Sequence, residues 1–210
     1  MSIIGEQNPE WLSRKSFDDS FDWSNSLKTN FALFFEYVTL HDSEWKTINL
    51  TAVNETILSI QLDAFWNKEY ALKTENTDNW PFLIIKIPNV LNISYNNVDY
   101  MTTIGNSSSE RIDRIEIENI MEILTRSKLF PEEFYNRLID CKSLCKTKFE
   151  DVYGGNIEIL HEEEILILLM ESDGTYIDPT LEKVVPFVER YQKEKKTESF
   201  ISKLWKNLSS

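Results

Sequence analysis

His41-Asp42-Ser43 places a base, a carboxylate and a hydroxyl in succession, the three groups that nucleophilic catalysis combines. Such a relay needs side chains converging from separate elements, whereas neighbours in an extended chain point to opposite faces. The segment therefore reads as the end of a loop, with His41 and Asp42 hydrogen-bonding the start of a strand and Trp45 anchoring a sheet. His161-Glu162-Glu163-Glu164 offers a second histidine beside carboxylates, but a zinc-protease pattern requires another histidine one helical turn on, and none follows. Cys141 and Cys145 stand four residues apart in a stretch that reads as helical. Two thiols on adjacent turns of one face fall short of the four ligands of a structural zinc site, and they read as reduced structural cysteines. The five glycines form no phosphate-binding loop. No metal or cofactor is expected, and no catalytic residue stands out. His41 or His161 acting as general base of a small hydrolase-like enzyme is kept as an alternative.

Carboxylates are the chemistry this chain has in excess. Its formal net charge is −13, and residues 150 to 190 alone hold eleven Asp and Glu against Lys183 and Arg190, a local charge of −9. An acidic surface of this density attracts a basic partner and repels bare nucleic acid. Glu158, Glu162, Glu163, Glu164, Asp173 and Asp178 are expected to cluster around one sheet end, with Tyr153 and Tyr176 as aromatic anchors beside them. A rival arrangement presents the carboxylates at phosphate-like intervals, as a nucleic-acid mimic blocking a DNA-binding or defence protein would.

The elements that must position these groups follow from periodicity. From Glu44 to Asp63 the pattern suits two antiparallel strands, and Phe82 to Ile87 with Val90 to Tyr95, divided at Pro88-Asn89, extends them into a meander of three or four strands. Ser107-Ser108-Ser109-Glu110 reads as a loop and places a sub-boundary near 105–110. Ile112 to Leu124 suits a helix, or a strand at its start. Pro131-Glu132-Glu133 opens a further helix expected to reach about Lys146. Asn156 to His161 and Ile165 to Glu171 read as strands, the second apolar on both faces and therefore central. Asp173-Gly174 supplies a turn, Thr180 caps a helix, and Phe200 to Leu208 forms the apolar stripe of a terminal helix. The expectation is a single α+β domain over residues 1–210, mainly an antiparallel sheet with a helical insertion and C-terminal helices.

Leu40-His41-Asp42-Ser43, the hairpin strand Ile57-Leu58-Ser59-Ile60-Gln61-Leu62-Asp63 and Leu83-Ile84-Ile85-Lys86-Ile87-Pro88-Asn89-Val90 together resemble a layout in small β-rich bacterial immunity proteins of polymorphic or contact-dependent toxin systems. The likeness covers residues 40 to about 95. It implies protection of a cell by binding a toxin, without naming the toxin. The N-terminus lacks a basic segment followed by a long apolar run, and no stretch approaches the length of a membrane span, so a cytoplasmic setting is expected. Charge and resemblance converge on one expectation, an inhibitor that binds a basic protein, a toxin domain, through an acidic face.

Overall fold

The computed structural model describes residues 8–50, 54–63, 80–96, 103–113, 115–119, 122, 136 and 143–177. It is β-rich and antiparallel. Helix α1 (Glu10–Asp18) and a 3-10 turn (Trp23–Asn25) lead into β1 (Leu27–Thr29) and helix α2 (Phe31–Tyr37). Nine strands follow: β2 (Glu44–Leu50), β3 (Thr56–Gln61), β4 (Phe82–Ile87), β5 (Val90–Asn96), β6 (Ile104–Ile112), β7 (Leu144–Asp151), β8 (Asn156–Glu162), β9 (Ile165–Met170) and β10 (Tyr176–Ile177). They form two sheets, one ordered β1-β9-β4-β3-β2 with β10 also on β9, the other β5-β8-β7-β6.

The β2-β3-β4 meander forms as expected, with Ile48 opposite Leu58 and Leu58 opposite Ile85. It stops there: β5 leaves for the second sheet. Pro88 has no N–H to continue a ladder, Asn89 takes a left-handed φ of 52°, and the Val90 N–H donates to the Asn54 carbonyl at 2.8 Å. The chain returns to the first sheet through Glu163-Glu164, between β8 and β9. Strand β9 is central, paired with β4 on one side and with β1 and β10 on the other.

The two sheets face each other across an apolar seam containing Leu58, Ile85 and Ile167 from the first and Phe149, Ile157 and Ile159 from the second. Phe149 meets Trp45 edge-on at 5.2 Å between ring centroids, and Phe31 of α2 at 5.7 Å, so one aromatic from each of three elements closes the seam. The first sheet has a second apolar face. Ile57, Phe82, Ile84, Leu168 and Met170 point outward, and the N-terminal segment covers them with Leu12, Phe21, Trp11 and Trp23. Covering on both sides explains why β4 and β9 read as near-continuous apolar runs.

Lys86 fastens that cover. Its ammonium, largely withdrawn from solvent on β4, pairs with Asp19 at 2.8 Å and Glu55 at 2.9 Å and lies 5.3 Å from the Trp23 ring centre, while the Trp23 indole donates to Asp19 at 2.7 Å. Removing the cation would leave two carboxylates facing each other with little water. Lys86→Met is expected to cost about 2 kcal/mol in denaturant unfolding, and the loss should shrink when Asp19→Asn and Glu55→Gln are added.

Several expectations need correction. Ser107-Ser108-Ser109-Glu110 is strand, inside β6 and paired residue for residue with Phe149 through Lys146 of β7, rather than a loop. The helix expected to reach Lys146 does not: Leu144 onward is β7, so Cys145 lies on a strand, not one helical turn from Cys141. Residues 115–119 are helical, begun by Asp113, whose carboxylate accepts the Glu116 N–H at 2.8 Å. Cys141, Asp178, the helix at Thr180 and the stripe from Phe200 to Leu208 lie outside the described residues.

Candidate functional site

The expected acidic cluster is divided. Glu162 ends β8 and Glu163 and Glu164 form the β8-β9 connection, whereas Asp173 lies beyond the other end of β9. Six strand residues separate the two positions, about 20 Å at the usual rise per residue. At the β8-β9 connection each glutamate has its own protein contact: Glu162 accepts from Asn89 at 2.7 Å, Glu163 lies 3.8 Å from Arg111, and Glu164 pairs with Lys28. Asp173 shapes its turn by accepting the Thr175 N–H at 2.8 Å, and hydrogen bonding from the Thr175 side chain, then from its N–H, holds the carboxyl below the usual range; the Trp11 ring packs on the following Gly174. Glu158 stands on the outer face of the second sheet, opposite Lys148.

That outer face is a ladder of compensated charge. Glu110 meets Lys146 at 2.7 Å, and Lys148 meets Glu150 at 2.6 Å, with Asn106 also donating to Glu150 at 3.2 Å. The ammonium groups of Lys146 and Lys148 are held above their ordinary values by these bonds. The Glu110–Lys146 pair crosses from β6 to β7 and the Lys148–Glu150 pair runs along β7, and such pairs of opposite sign stabilise the sheet locally.

The two tyrosines separate as well. Tyr176 packs among Trp11, Trp23 and Met170 in the N-terminal cover. Tyr153 is 78% exposed at the β7-β8 turn, and Val152 beside it is 48% exposed. Buried Asp151 holds this turn with both carboxylate oxygens, one accepting the Tyr153 N–H at 2.7 Å and the other the Thr103 N–H at 3.1 Å. Gly154 supplies the left-handed φ of 92° that reverses the chain, and the Asp151 N–H closes the turn on the Gly155 carbonyl at 2.8 Å. A carboxylate withdrawn from water that accepts a backbone N–H on each oxygen restrains the turn.

His41 borders the same turn. Its Nδ1–H donates to the Gly105 carbonyl at 2.7 Å, leaving Nε2 3.5 Å from Asp42. Gly105 in turn lies so close to Val152 that a Cβ there would sit 3.0 Å from the valine side chain. His41 and Asp42 tie the chain to β6, through the ring bond and through the Asp42 N–H to the Ile104 carbonyl at 2.8 Å. Ser43 is fully buried and its hydroxyl accepts the Asp63 N–H at 3.1 Å, so it has no open approach for a substrate. Trp45 is a seam residue, as its neighbours predict.

His161 is enclosed. Its Nδ1–H donates to the Glu162 carbonyl, and Nε2 accepts from the Thr147 hydroxyl at 2.8 Å. Desolvation lowers its pKa to about 4, so the ring is neutral at pH 7. Cys145 is its direct cross-strand neighbour, and burial raises the thiol pKa, which keeps it from acting as a thiolate. Among the described residues, no three His, Cys, Asp or Glu side chains are grouped to hold a metal ion, and no helix is long and apolar enough to cross a membrane.

The arrangement brings together Val152, Tyr153, Gly105, His41 and Asp42 at one corner, and keeps Glu162 to Glu164 at the far end of β8. Of these, Tyr153 is the anchor that the sequence suggests. Its signal was an aromatic immediately before Gly154-Gly155; nothing in the order of residues announced that Gly105 and His41 would meet it. Comparison of the chain with protein-family models, with curated proteins and with solved structures returned no match.

Proposed function

We propose that this protein is a cytoplasmic, non-catalytic binding protein that neutralises a basic partner stoichiometrically, with the exposed Tyr153 turn as its anchor. The observation that carries the reading is an aromatic side chain 78% exposed on a turn fixed by a buried carboxylate. Aromatic residues presented rigidly lose little entropy on docking and supply much of the energy at protein interfaces. A net charge of −13 adds long-range attraction for a basic protein and speeds encounter. The resemblance over residues 40 to 95 suggests a toxin domain as that partner.

In this mechanism the negative field brings the partner in, and Tyr153 with Val152 then enters an apolar pocket. Asp42 at the rim is placed to meet a lysine or arginine. The glutamates of the β8-β9 connection act at a distance, since Asn89, Arg111 and Lys28 already engage them. Reversing Glu162, Glu163 and Glu164 to lysine changes the net charge by six. With the partner retained from a native lysate, the association rate at low salt is expected to fall about tenfold or more, while dissociation changes little. An unchanged association rate at low salt would remove the acid excess from the mechanism.

A further inference from the structure

His161 connects three strands and a helix through one ring. Beyond its bonds to Glu162 and Thr147, the Thr147 hydroxyl lies 2.9 Å from that of Ser109, so a chain of polar groups runs β6, β7, β8 inside the sandwich. Phe31 of α2 meets the imidazole at 5.5 Å between ring centroids, and the same Phe31 meets Phe149. The carbonyl of Glu162 can only accept, which puts the proton on Nδ1 and leaves Nε2 as the acceptor.

We propose that His161 is an acid-sensitive latch: neutral, it fastens α2 and the second sheet together, and its protonation opens this end of the sandwich. A proton on Nε2 sets a donor against the Thr147 hydroxyl, which must then turn its own hydrogen toward Ser109 and disturb that bond in sequence. It also places a positive charge among Phe31, Val90 and Cys145. Charged groups on the packed elements are Arg111 of β6 and Glu163 of the β8-β9 connection, which lie 3.8 Å apart and act on Cys145, the cross-strand neighbour of the ring. Neither α2 nor β5 nor β7 brings a carboxylate to the ring among their described side chains. The charge is thus better accommodated in an opened state, where water solvates it.

The ring takes a proton near 6.5 when opened and near 4 when closed, so the latch holds fully above pH 6.5 and is lost as pH falls toward 4. With those values, opening should become about 20-fold more frequent between pH 7 and pH 5. Amide exchange along α2, β7 and β8, corrected for the intrinsic pH dependence of exchange, measures this directly. The protein is expected to lose protection about 20-fold in those elements, and His161→Gln to lose less than about threefold. An equal loss in both would overturn the latch. If His161→Gln fails to fold, NMR titration of His161 in the unaltered protein decides: a midpoint near 4 accompanied by shifts in α2 supports the latch, and a midpoint near 6.5 with α2 unmoved overturns it.

Discussion

Phe149→Ala is expected to destabilise the fold by about 3–5 kcal/mol, the range for deleting a fully buried aromatic. Phe149 has no solvent exposure and is the common neighbour of Trp45 from β2 and of Phe31 and Phe35 from α2, with ring centroids 5.2, 5.7 and 6.4 Å away. Truncation would leave a cavity that three aromatic rings on two sides of the seam cannot fill without abandoning their other contacts. The denaturant midpoint should fall with little change in slope. A loss below about 1 kcal/mol would mean that the seam repacks easily and that the two sheets are joined mainly at their edges.

Tyr153→Ala is expected to act in the opposite manner, with little effect on stability and a large one on binding. The ring is exposed, so its removal leaves no cavity, and the backbone bonds to Asp151 do not involve it. An anchoring aromatic typically contributes 2 kcal/mol or more, so affinity for the partner should drop about 30-fold, chiefly through faster dissociation. Tyr95, 46% exposed on β5, provides the comparison: Tyr95→Ala should leave affinity within about twofold. Equal effects at the two positions would assign binding to general apolar character and not to the turn.

How far the sequence discloses this molecule depends on the element. Strands β2, β3, β4, β8 and β9 are legible because their apolar residues are either alternating or continuous, and bounded by Asn54, Pro88-Asn89 and Gly154-Gly155. Strand β7 shows the same alternation, with Cys145, Thr147 and Phe149 inward and Lys146 and Lys148 outward, yet the helix-start signal at Pro131-Glu132-Glu133 extends a helical reading across it. Strand β6 is obscured differently. Its inward positions Ser107 and Ser109 are small and polar because Ser109 completes the hydrogen-bond chain to His161, and a serine run outside that context looks like a loop. Helix α1 packs through Trp11 and Leu12 in its first turn, but one turn on its buried position is Ser16, which meets Ser59 hydroxyl to hydroxyl at 3.2 Å, so the apolar stripe stops short. Helix α2 did carry one: Asn30 caps it, its side chain accepting the Leu33 N–H at 2.8 Å ahead of Phe31-Ala32-Leu33-Phe34-Phe35.

The site was legible only in part for a related reason. Charge counted along the chain is not charge counted on a surface. The stretch around Glu158 to Asp173 looks like one acidic block, but folding sends its members to the β8-β9 connection, the outer sheet face and a turn about 20 Å away. Bases from elsewhere in the chain, Lys28, Arg111 and Lys148, are brought beside them. Tyr153 survives as an anchor because Asp151, Gly154 and Gly155 are local to it, and a turn built from adjacent residues can be read from adjacent residues.

The most direct test of the Tyr153 turn as the binding site is photo-crosslinking from that position. A photoreactive phenylalanine derivative replaces Tyr153 in one protein and Tyr95 in another, and each is exposed to native lysate at low salt before irradiation. A single basic protein is expected to be joined one-to-one from position 153, displaced beforehand by excess unlabelled protein, with no such product from position 95. Equal products from both positions, or none from 153 while a stoichiometric partner is still retained, would contradict binding through the Tyr153 turn.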